Sequence, residues 1–341
     1  MFFQETVPQD HAVLGDVIAM QKLGKNPIKS INKSTPPSIE LLKYASLFTQ
    51  KGLGNIEMPP KPGIHTMPDA FIHAMPAYIP SLGSAGIKWV SGYPENYKRN
   101  LPYINGLLIL NDPETGITLS VMDCIWITAM RTGAATAVAA KYVANMDSNS
   151  AGILGCGVQG RTNLKALKII MPDLKDVKAY DILENAANRY AKEMRKDTGL
   201  NVRIVGNPEE AVRNSDIIVT AGLILKNPNP VIEDDWLKPG FFASPVDFDS
   251  YWKKSAFDNC DKFVTDDREQ CLYYKSLGYF QHIPEIYADL GEIAAGKKPG
   301  RENKNEKIIC ANLGLAMDDM ATAIKIYKKA VENNIGTWLE L

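Results

Sequence analysis

The chain has 341 residues, 45% of them hydrophobic, and a formal net charge of -1 at pH 7. This length favours two domains, and the composition is that of a globular protein rather than a fibrous, disordered or disulfide-scaffold chain. The balanced charge excludes a strong general attraction to nucleic acid or to anionic membranes. No apolar segment reaches the roughly 20 residues that cross a bilayer, and the first residues lack a secretory signal pattern, so we expect a cytoplasmic protein.

Cysteine and histidine show no spacing that is typical of a metal site. The five cysteines are scattered and form no CxxC pair, which argues against a disulfide framework and against structural zinc. The four histidines form no HExxH pair, and the acidic residues form no EF-hand loop. We therefore predict no bound metal ion.

The first part of the chain contains three segments with the apolar content of neighbouring strands, at residues 85–93, 105–112 and 116–123. Residues 111–116 (NDPETG) carry the residue types of a tight turn, which predicts an antiparallel connection. We therefore expect an α+β domain ahead of residue 125.

Two helices are predicted to join this domain to the rest of the chain. Residues 125–146 have the length and alanine content of a helix that leads into a second domain and is a candidate hinge. Residues 316–333 form a last amphipathic helix, which we expect to pack back on the first domain. The predicted domains are therefore residues 1–124 with 316–341, and residues 125–315.

Between residues 151 and 310, short apolar runs alternate with amphipathic segments such as ENAANRYAKEMRK. Alternation of this kind is typical of βαβ units, in which helices cover both faces of a parallel sheet. The expected fold class is α/β, with this parallel sheet beside the α+β domain.

A complete GxGxxG motif at 155–160 follows a predicted strand at 151–154 and opens a predicted helix at 161–170. In this context glycines let the backbone approach a pyrophosphate at the helix N-terminus. The next predicted strand, 177–181, ends in Asp181, where a carboxylate would receive ribose hydroxyls and repel a 2′-phosphate, although an acid that only caps a turn is the alternative. We predict a Rossmann-type domain that binds NAD, with NADP less favoured. The predicted cofactor contacts on the motif are Gly155, Gly157, Val158, Gln159 and Gly160.

Two further segments are predicted at the same carboxyl edge of the sheet. Thr220-Ala221-Gly222 follows a predicted strand at 216–219, and small residues there leave room for the cofactor. Asp247 and Asp249 follow the apolar run 241–243. An acid at a strand end either caps a helix or binds a substrate amine, and the residues alone leave both roles open.

Lys88 and Arg131 are candidate functional cations with two interpretations each. Lys88 is flanked by Ile87 and Trp89, so its amine is either solvated on the polar face of a strand or partly desolvated, with a pKa lowered toward that of a proton-transfer group. Arg131 lies mid-helix beside small residues that would admit a ligand, but taken alone it is better explained as a surface arginine on an Ala-rich helix.

Six segments of the chain together form a recognisable pattern: MPAYIP (75–80), GIKWVSGYPEN (86–96), LLILNDPETG (107–116), MRTGAATAVAAKY (130–142), GILGCGVQGR (152–161) and NLGLAMDDMATA (312–323). With these segments, the chain from about Ile56 to its C-terminus resembles the ornithine cyclodeaminase and mu-crystallin family. The combination of a lysine segment, an RTGA segment and the glycine loop is specific to that family.

The resemblance implies a homodimer in which the first domain, completed by the C-terminal helix, binds substrate and forms the dimer interface, while the second domain binds the nicotinamide cofactor. It implies that Lys88 is the active-site lysine and that Arg131 holds the substrate carboxylate. Asp249 would meet the substrate amine, with Asp247 as the second choice. The remaining residues implied at the site are Lys61, Met75 and Lys253 for the substrate, and Thr132 for the cofactor.

Two segments depart from the family pattern. Lys61 replaces the arginine of a Pro-Pro-Arg and offers a point charge instead of a bidentate fork, which argues against an ordinary α-amino acid substrate. Residues 243–249 lack the usual Gly-Ala-Asp context, and some relatives with a similar segment are named as a component of tyramine oxidase.

The activity that the resemblance implies is NAD-dependent chemistry at the C–N bond of an amino acid or amine, through hydride transfer and an imine intermediate, as in a cyclodeaminase. Reduction of a cyclic ketimine and dehydrogenation of an amine or amino acid, including a role like that of the tyramine oxidase component, are alternatives at the same site. A crystallin-like protein that binds a small ligand without catalysis is the alternative of another class. The expected partner is a small amino acid, amine or cyclic imine, and neither nucleic acid nor a membrane.

Overall fold

The computed structural model describes residues 17–20 and 37–339, and it describes side chains at 44–338. The rest of the predicted first domain, at residues 1–16, 21–36 and 340–341, lies outside the described residues. No helix within the described part is long and apolar enough to cross a membrane.

The described chain up to residue 143 is built mainly of strands, with one helix at each end of the larger segment. Its elements are β1 (Val17–Met20), α1 (Pro37–Gly52), β2 (Gly63–Ile64), β3 (Phe71–Ile79), β4 (Ser84–Gly92), β5 (Ile104–Asn111), β6 (Thr118–Asp123) and α2 (Ile125–Val143).

From residue 150 onward, strands and helices alternate. The elements are β7 (Ser150–Leu154), α3 (Val158–Ile170), β8 (Asp176–Tyr180), α4 (Glu184–Thr198), β9 (Asn201–Ile204), α5 (Pro208–Val212), β10 (Ile217–Thr220), β11 (Phe242–Pro245), α6 (Lys254–Asp258), β12 (Lys262–Thr265), α7 (Arg268–Ser276), β13 (Ala288–Asp289), α8 (Leu290–Ala294), β14 (Ile308–Ala311), α9 (Ala316–Asn333) and β15 (Thr337–Leu339).

The first sheet has the strand order β15-β1-β6-β5-β4-β3-β2 within the described residues. The pairs from β6 to β2 are antiparallel, which confirms the three predicted neighbouring strands. The turn between β5 and β6 is stabilised by Asp112, which accepts hydrogen bonds from the Glu114 amide and the Thr115 hydroxyl. Helix α9 has the predicted bounds and packs on β3 and β4, so its predicted return to the first sheet is also confirmed.

The second sheet has the order β13-β12-β14-β11-β10-β7-β8-β9, and its neighbouring strands are parallel. Strands β10, β12 and β14 are buried at every position, as expected for a sheet covered on both faces. The strand order reverses between β7 and β10, where open α/β sheets bind their ligands. The predicted α/β class with a Rossmann-type sheet is confirmed.

Several predicted boundaries differ from the structure by one to three residues. Helix α3 begins at Val158 rather than residue 161, because Gly157 is extended and already serves as the N-cap. Strand β8 ends at Tyr180, which leaves Asp181 in the loop. Helix α2 ends at Val143 rather than residue 146, because Ala144 is extended.

Several contacts join the two sheet systems. Helix α2 packs on α3 on one side and on α9 on the other. The amide of Lys226 donates to Oδ1 of Asp69 at 2.8 Å, and Tyr274 hydrogen-bonds the imidazole of His73 at 3.2 Å. The division into residues 1–124 with 316–341 and residues 125–315, and the hinge role of α2, stay predictions.

Candidate active site

Lys88 is fully buried on the face of β4 that packs against α2 and α9. Because side chains alternate along a strand, Trp89 points to the opposite face, where it is 48% exposed. Of the two interpretations of Lys88 that the sequence allowed, the desolvated one holds and the solvated one is wrong.

Lys88 forms a buried ion pair with Asp319, in the first turn of α9. Its Nζ lies 2.7 Å from Oδ2 of Asp319 and 3.4 Å from Oγ1 of Thr128. The other carboxylate oxygen of Asp319 accepts a hydrogen bond from Nε of Arg131 at 3.2 Å. A single carboxylate therefore links the two cations that the sequence analysis identified.

Asp319 and its neighbour Asp318 are not among the site residues predicted from the sequence. Both acids are fully buried, between the buried side chains of Met317 and Met320. The sequence signal for these buried acids is a pair of adjacent aspartates between two methionines in an apolar part of the helix. Acids that face water do not usually lie between buried methionines.

The environment of Lys88 favours proton transfer. Burial lowers the pKa of Lys88 to about 8, with a further lowering by the Arg131 guanidinium, while Asp319 acts in the opposite direction. An amine with this pKa exists in both protonation states near neutral pH. Lys88 can therefore give or take a proton without a large energetic cost.

Arg131 lies in the middle of α2 and is buried, so the surface interpretation of this arginine is wrong. Gly314, in the loop before α9, has a φ of +86° and lies against the guanidinium, where an added Cβ would overlap Nη1. Among the described residues, no acceptor bonds the two Nη nitrogens. This end of the guanidinium is therefore available to a ligand carboxylate.

Lys61 lies just before β2 and joins the same buried cluster. Its Nζ donates hydrogen bonds to the main-chain oxygens of Leu313 and Gly314, and it lies 5.9 Å and 5.4 Å from the ring centroids of Phe248 and Tyr274. Burial and the nearby guanidinium lower the pKa of Lys61 to about 7. Its ammonium thus binds carbonyl groups of the loop before α9.

The glycine loop between β7 and α3 has the geometry that a bound dinucleotide requires. A Cβ on Gly155 would lie 2.5 Å from the oxygen of Ala221, and one on Gly160 would overlap the Gly155 carbonyl. Gly157 instead faces open space, with no atom within 4 Å of its added Cβ. The first and third glycines serve packing, and the second leaves room for a pyrophosphate at the N-terminus of α3, so these residues fit a dinucleotide.

Asp181 ties the end of β8 to the glycine loop. Its carboxylate accepts hydrogen bonds from the amides of Cys156 at 2.8 Å and Leu183 at 2.9 Å. Each oxygen keeps a further lone pair for a ribose hydroxyl. Val158 and Gln159 occupy the first turn of α3, directly after the open Gly157.

Asp247 joins the carboxyl ends of β10 and β11. Its two oxygens accept hydrogen bonds from Oγ1 of Thr220 at 2.6 Å and from the amide of Gly222 at 2.8 Å. The amide of Ala221 bonds Leu154 at the end of β7. Burial raises the pKa of Asp247 to about 7. The structure therefore brings Asp247 and the three small residues at 220–222 together beside the glycine loop.

Asp249 and Lys253 are not brought into the cluster of Lys88 and Arg131. Asp249 is half-buried, burial raises its pKa, and His282 is the charged group that opposes this rise. Lys253 forms an exposed ion pair with Glu233. The predicted substrate roles of these two residues stay predictions.

The last two predicted site residues lie on elements next to the cluster. Met75 is buried on β3, directly opposite Lys88 in the register of the sheet. Thr132 follows Arg131 in α2, and its hydroxyl donates to the main-chain oxygen of Thr128 at 2.7 Å. In the described part of the chain, no three His, Cys, Asp or Glu side chains form a group suited to a metal ion.

Comparison with known proteins gives the chain close relatives over most of its length. It is 35% identical to the alanine dehydrogenase of Archaeoglobus fulgidus over 298 residues, which are 85% of this chain and 89% of the relative. The structure of Thermococcus litoralis Delta(1)-pyrroline-2-carboxylate reductase in complex with NADH and L-proline matches with a TM-score of 0.79 and 35% identity, covering 89% of this chain and 96% of that one.

A third relative is an archaeal alanine dehydrogenase dimer with bound NAD, with a TM-score of 0.76, 33% identity, and coverage of 88% of this chain and 93% of that chain. The family model of the ornithine cyclodeaminase/mu-crystallin family matches residues 30–334. These matches confirm the resemblance seen in the sequence segments, and the chain belongs to the ornithine cyclodeaminase/mu-crystallin family.

Proposed function

We propose that the chain is an NAD-dependent enzyme that acts at the carbon–nitrogen bond of a small amino acid, amine or cyclic imine. The observation that carries this proposal is the buried carboxylate of Asp319, which contacts both Lys88 and Arg131. It places a titratable amine beside a guanidinium whose Nη nitrogens are available to a carboxylate. A site of this kind orients a zwitterion and exchanges a proton with it.

The proposed cofactor site runs along the edge of the second sheet. The backbone amides around Gly157 hold the pyrophosphate, and Asp181 holds the adenosine ribose. Thr220-Ala221-Gly222, ordered by Asp247, and Thr132 line the path toward the cluster. When bound, NAD supplies the hydride acceptor, and NADH the hydride donor, for the carbon that bears the nitrogen.

The residues of the cluster have separate tasks in this proposal. Arg131 holds a substrate carboxylate through its Nη nitrogens, and Lys61 adds positive charge nearby. In the oxidative direction, neutral Lys88 takes a proton from the substrate amine as the C–N single bond becomes a double bond. In the reductive direction, the Lys88 ammonium returns that proton as the imine becomes an amine.

Three reactions of this site are distinguished by the balance of NADH. A cyclodeaminase, the leading hypothesis, uses NAD catalytically and releases ammonia without net NADH. An amine or amino acid dehydrogenase accumulates NADH, and a cyclic ketimine reductase consumes it in proportion to product. All three need the same charges around the substrate nitrogen and carboxylate.

The test is a substrate panel followed at 340 nm with ammonia and product analysis. Ornithine, lysine, arginine, alanine and tyramine are offered with NAD, and pyrroline-2-carboxylate and piperideine-2-carboxylate with NADH. We expect turnover of at least one compound by the wild type and none by Lys88→Met. Tight binding of panel members without turnover by the wild type would instead support the crystallin-like binder.

We further propose that two copies of the chain associate through the open face of the first sheet. Trp89 on β4 and Leu107 on β5 are directly opposite each other and are 48% and 51% exposed. Ile87 and Ile109 form the next cross-strand pair on this face. A cluster of exposed apolar residues on a sheet marks a contact surface. We also keep the proposal, made from the sequence, that the protein is cytoplasmic.

A further inference from the structure

Asp318 is a fully buried acid whose carboxyl oxygens accept no hydrogen bond from the described residues. It lies in the first turn of α9, beside Asp319, which binds both Lys88 and Arg131. Buried polar groups without partners are rare in folded proteins because they lose their hydration and gain nothing in return. The described residues therefore leave Asp318 without a hydrogen-bond partner, and a bound ligand could supply one.

Several elements place charged or titratable groups near Asp318. Burial raises the pKa of Asp318 well above its usual range, and Arg131 opposes this rise. Burial therefore favours the protonated form of Asp318 more than in an exposed aspartic acid. The titratable and charged groups that face it are Tyr44 on α1, Lys88 on β4, Arg131 on α2, Asp266 after β12, and Asp319 on α9 itself.

The other fully buried acids of the described chain already have partners. Asp319 binds two cations, Asp247 binds Thr220 and Gly222, and Asp266 accepts the amide of Gly314 at 2.7 Å. Asp249 also has an oxygen without a partner, but its charged neighbour is His282. Asp318 is the acid that combines free acceptor atoms with a place beside Lys88 and Arg131.

We propose that Asp318 binds the nitrogen of the substrate, a role that rests on the function proposed above. When the substrate carboxylate is bound to Arg131, the substrate nitrogen can accept a hydrogen bond from the O–H of Asp318 or donate one to its free oxygen. Where Asp318 carries a proton, an ammonium substrate pairs with its carboxylate and that proton passes to solvent. When an imine enters, Asp318 donates its hydrogen bond to the imine nitrogen. Asp318 is thus a catalytic residue that the sequence patterns did not reveal.

The test compares ligands that differ only in the nitrogen. L-proline and cyclopentanecarboxylate, and L-alanine and propionate, are titrated into the NAD-loaded enzyme by calorimetry in two buffers of different ionisation enthalpy. We expect the wild type to prefer each nitrogen-containing ligand and to release protons on binding it. Asp318→Asn should lower this preference roughly 10- to 100-fold and remove the proton release, with little effect on the nitrogen-free acids.

Two further variants separate a binding role from a structural one. Tyr44→Phe removes a hydroxyl that faces the same acid from α1, and we expect it to keep the nitrogen preference. Asp318→Glu keeps the acid and should restore part of the preference if the asparagine variant folds poorly. Since Asp318 makes no side-chain hydrogen bond in the described chain, Asp318→Asn should not lower the melting temperature.

The outcomes distinguish this inference from the proposed function. If wild-type enzyme turns over a panel substrate and Asp318→Asn retains the full nitrogen preference and proton release, the role of Asp318 is wrong while the proposed function stands. If the wild type binds none of the four ligands and turns over no panel compound, the proposed function itself fails. A drop in melting temperature with unchanged ligand preference would make Asp318 a structural acid.

Discussion

At the scale of single residues, the site depends on charged side chains that are buried next to one another, away from bulk water. Lys88, Lys61 and Arg131 are all buried. Arg131 lowers the pKa of both lysines, and Lys88 lowers that of Lys61. Asp319 offsets this repulsion by contacting Lys88 and Arg131 at once. Burial and repulsion between the cations bring the pKa of both lysines close to neutral pH. Proton transfer close to pH 7 requires a group with such a pKa.

The pH dependence of kcat/KM should follow the titration of Lys88, whose pKa is lowered to about 8. Amine oxidation needs the neutral amine, so its kcat/KM should rise as pH rises through about 8. Imine reduction needs the ammonium, so its kcat/KM should fall over the same range. Profiles measured in both directions on the substrate identified by the panel test these opposite signs.

The control for this prediction is Lys88→Arg, which keeps a positive charge beside Asp319 but does not titrate in this range. We expect kcat to fall by at least about 100-fold and the limb near pH 8 to disappear. If the limb persists in this variant, the titrating group is another one, and Lys61, with its pKa of about 7, is the next candidate.

The sequence indicated Lys88 and Arg131 but not the contacts that define their function. Both faces of β4 carry apolar residues, so alternation alone does not tell which face is covered. Asp319 and Lys88 are far apart in sequence and meet only because α9 returns to the first sheet. Such long-range contacts between charges leave no local periodic signal, which is why the acids of α9 were missed.

At the scale of elements, the loop from β7 to α3 was the most predictable part of the site. Its glycines are required by close backbone contacts that are local in sequence or lie between adjacent strands. The place of Asp181 next to this loop was predicted because it follows a neighbouring parallel strand, although that strand ends one residue earlier than predicted. Its role toward the cofactor stays a prediction. For the ends of β10 and β11, the sequence predicted only that they lie at the same edge of the sheet. The hydrogen bonds of Asp247 that join them depend on side-chain geometry.

Asp181 should determine the choice between NAD and NADP. In Asp181→Asn the negative charge is lost while an acceptor oxygen remains for the amide of Cys156 or of Leu183. We expect the preference for NAD over NADP to fall at least about tenfold, because repulsion of the 2′-phosphate disappears. Dissociation constants of the two cofactors, measured by fluorescence titration, provide the readout.

Asp176, at the opposite end of β8, is the matched control. It is an exposed acid that bonds Asn201, so Asp176→Asn makes the same chemical change away from the glycine loop. Its cofactor preference should equal that of the wild type. An unchanged preference in Asp181→Asn would instead favour the alternative that this acid only caps the turn.

At the scale of the whole molecule, two sheets of different type enclose one cluster of charges. The first sheet, β4 in particular, contributes Lys88, and the segment before β2 contributes Lys61. The second sheet contributes the loop at 313–314 that binds Lys61 and lies against Arg131. The cluster therefore forms only when the first and second sheet systems are in contact. The predicted fold class alone did not specify this contact.

The proposed dimer can be tested on the face of β4 that points away from Lys88. Trp89→Asp places a charge on the exposed apolar surface, directly opposite Leu107, and burying that charge against a second copy would be strongly unfavourable. We expect wild-type protein to elute at twice its mass of 37.6 kDa and Trp89→Asp at the monomer mass in light-scattering chromatography. Leu272→Asp, at a residue 51% exposed on α7 in the other sheet system, should remain dimeric. A monomeric wild type, or a dimeric Trp89→Asp, would mean that this apolar face has another partner, because the exposed tryptophan would then lie outside the interface between copies.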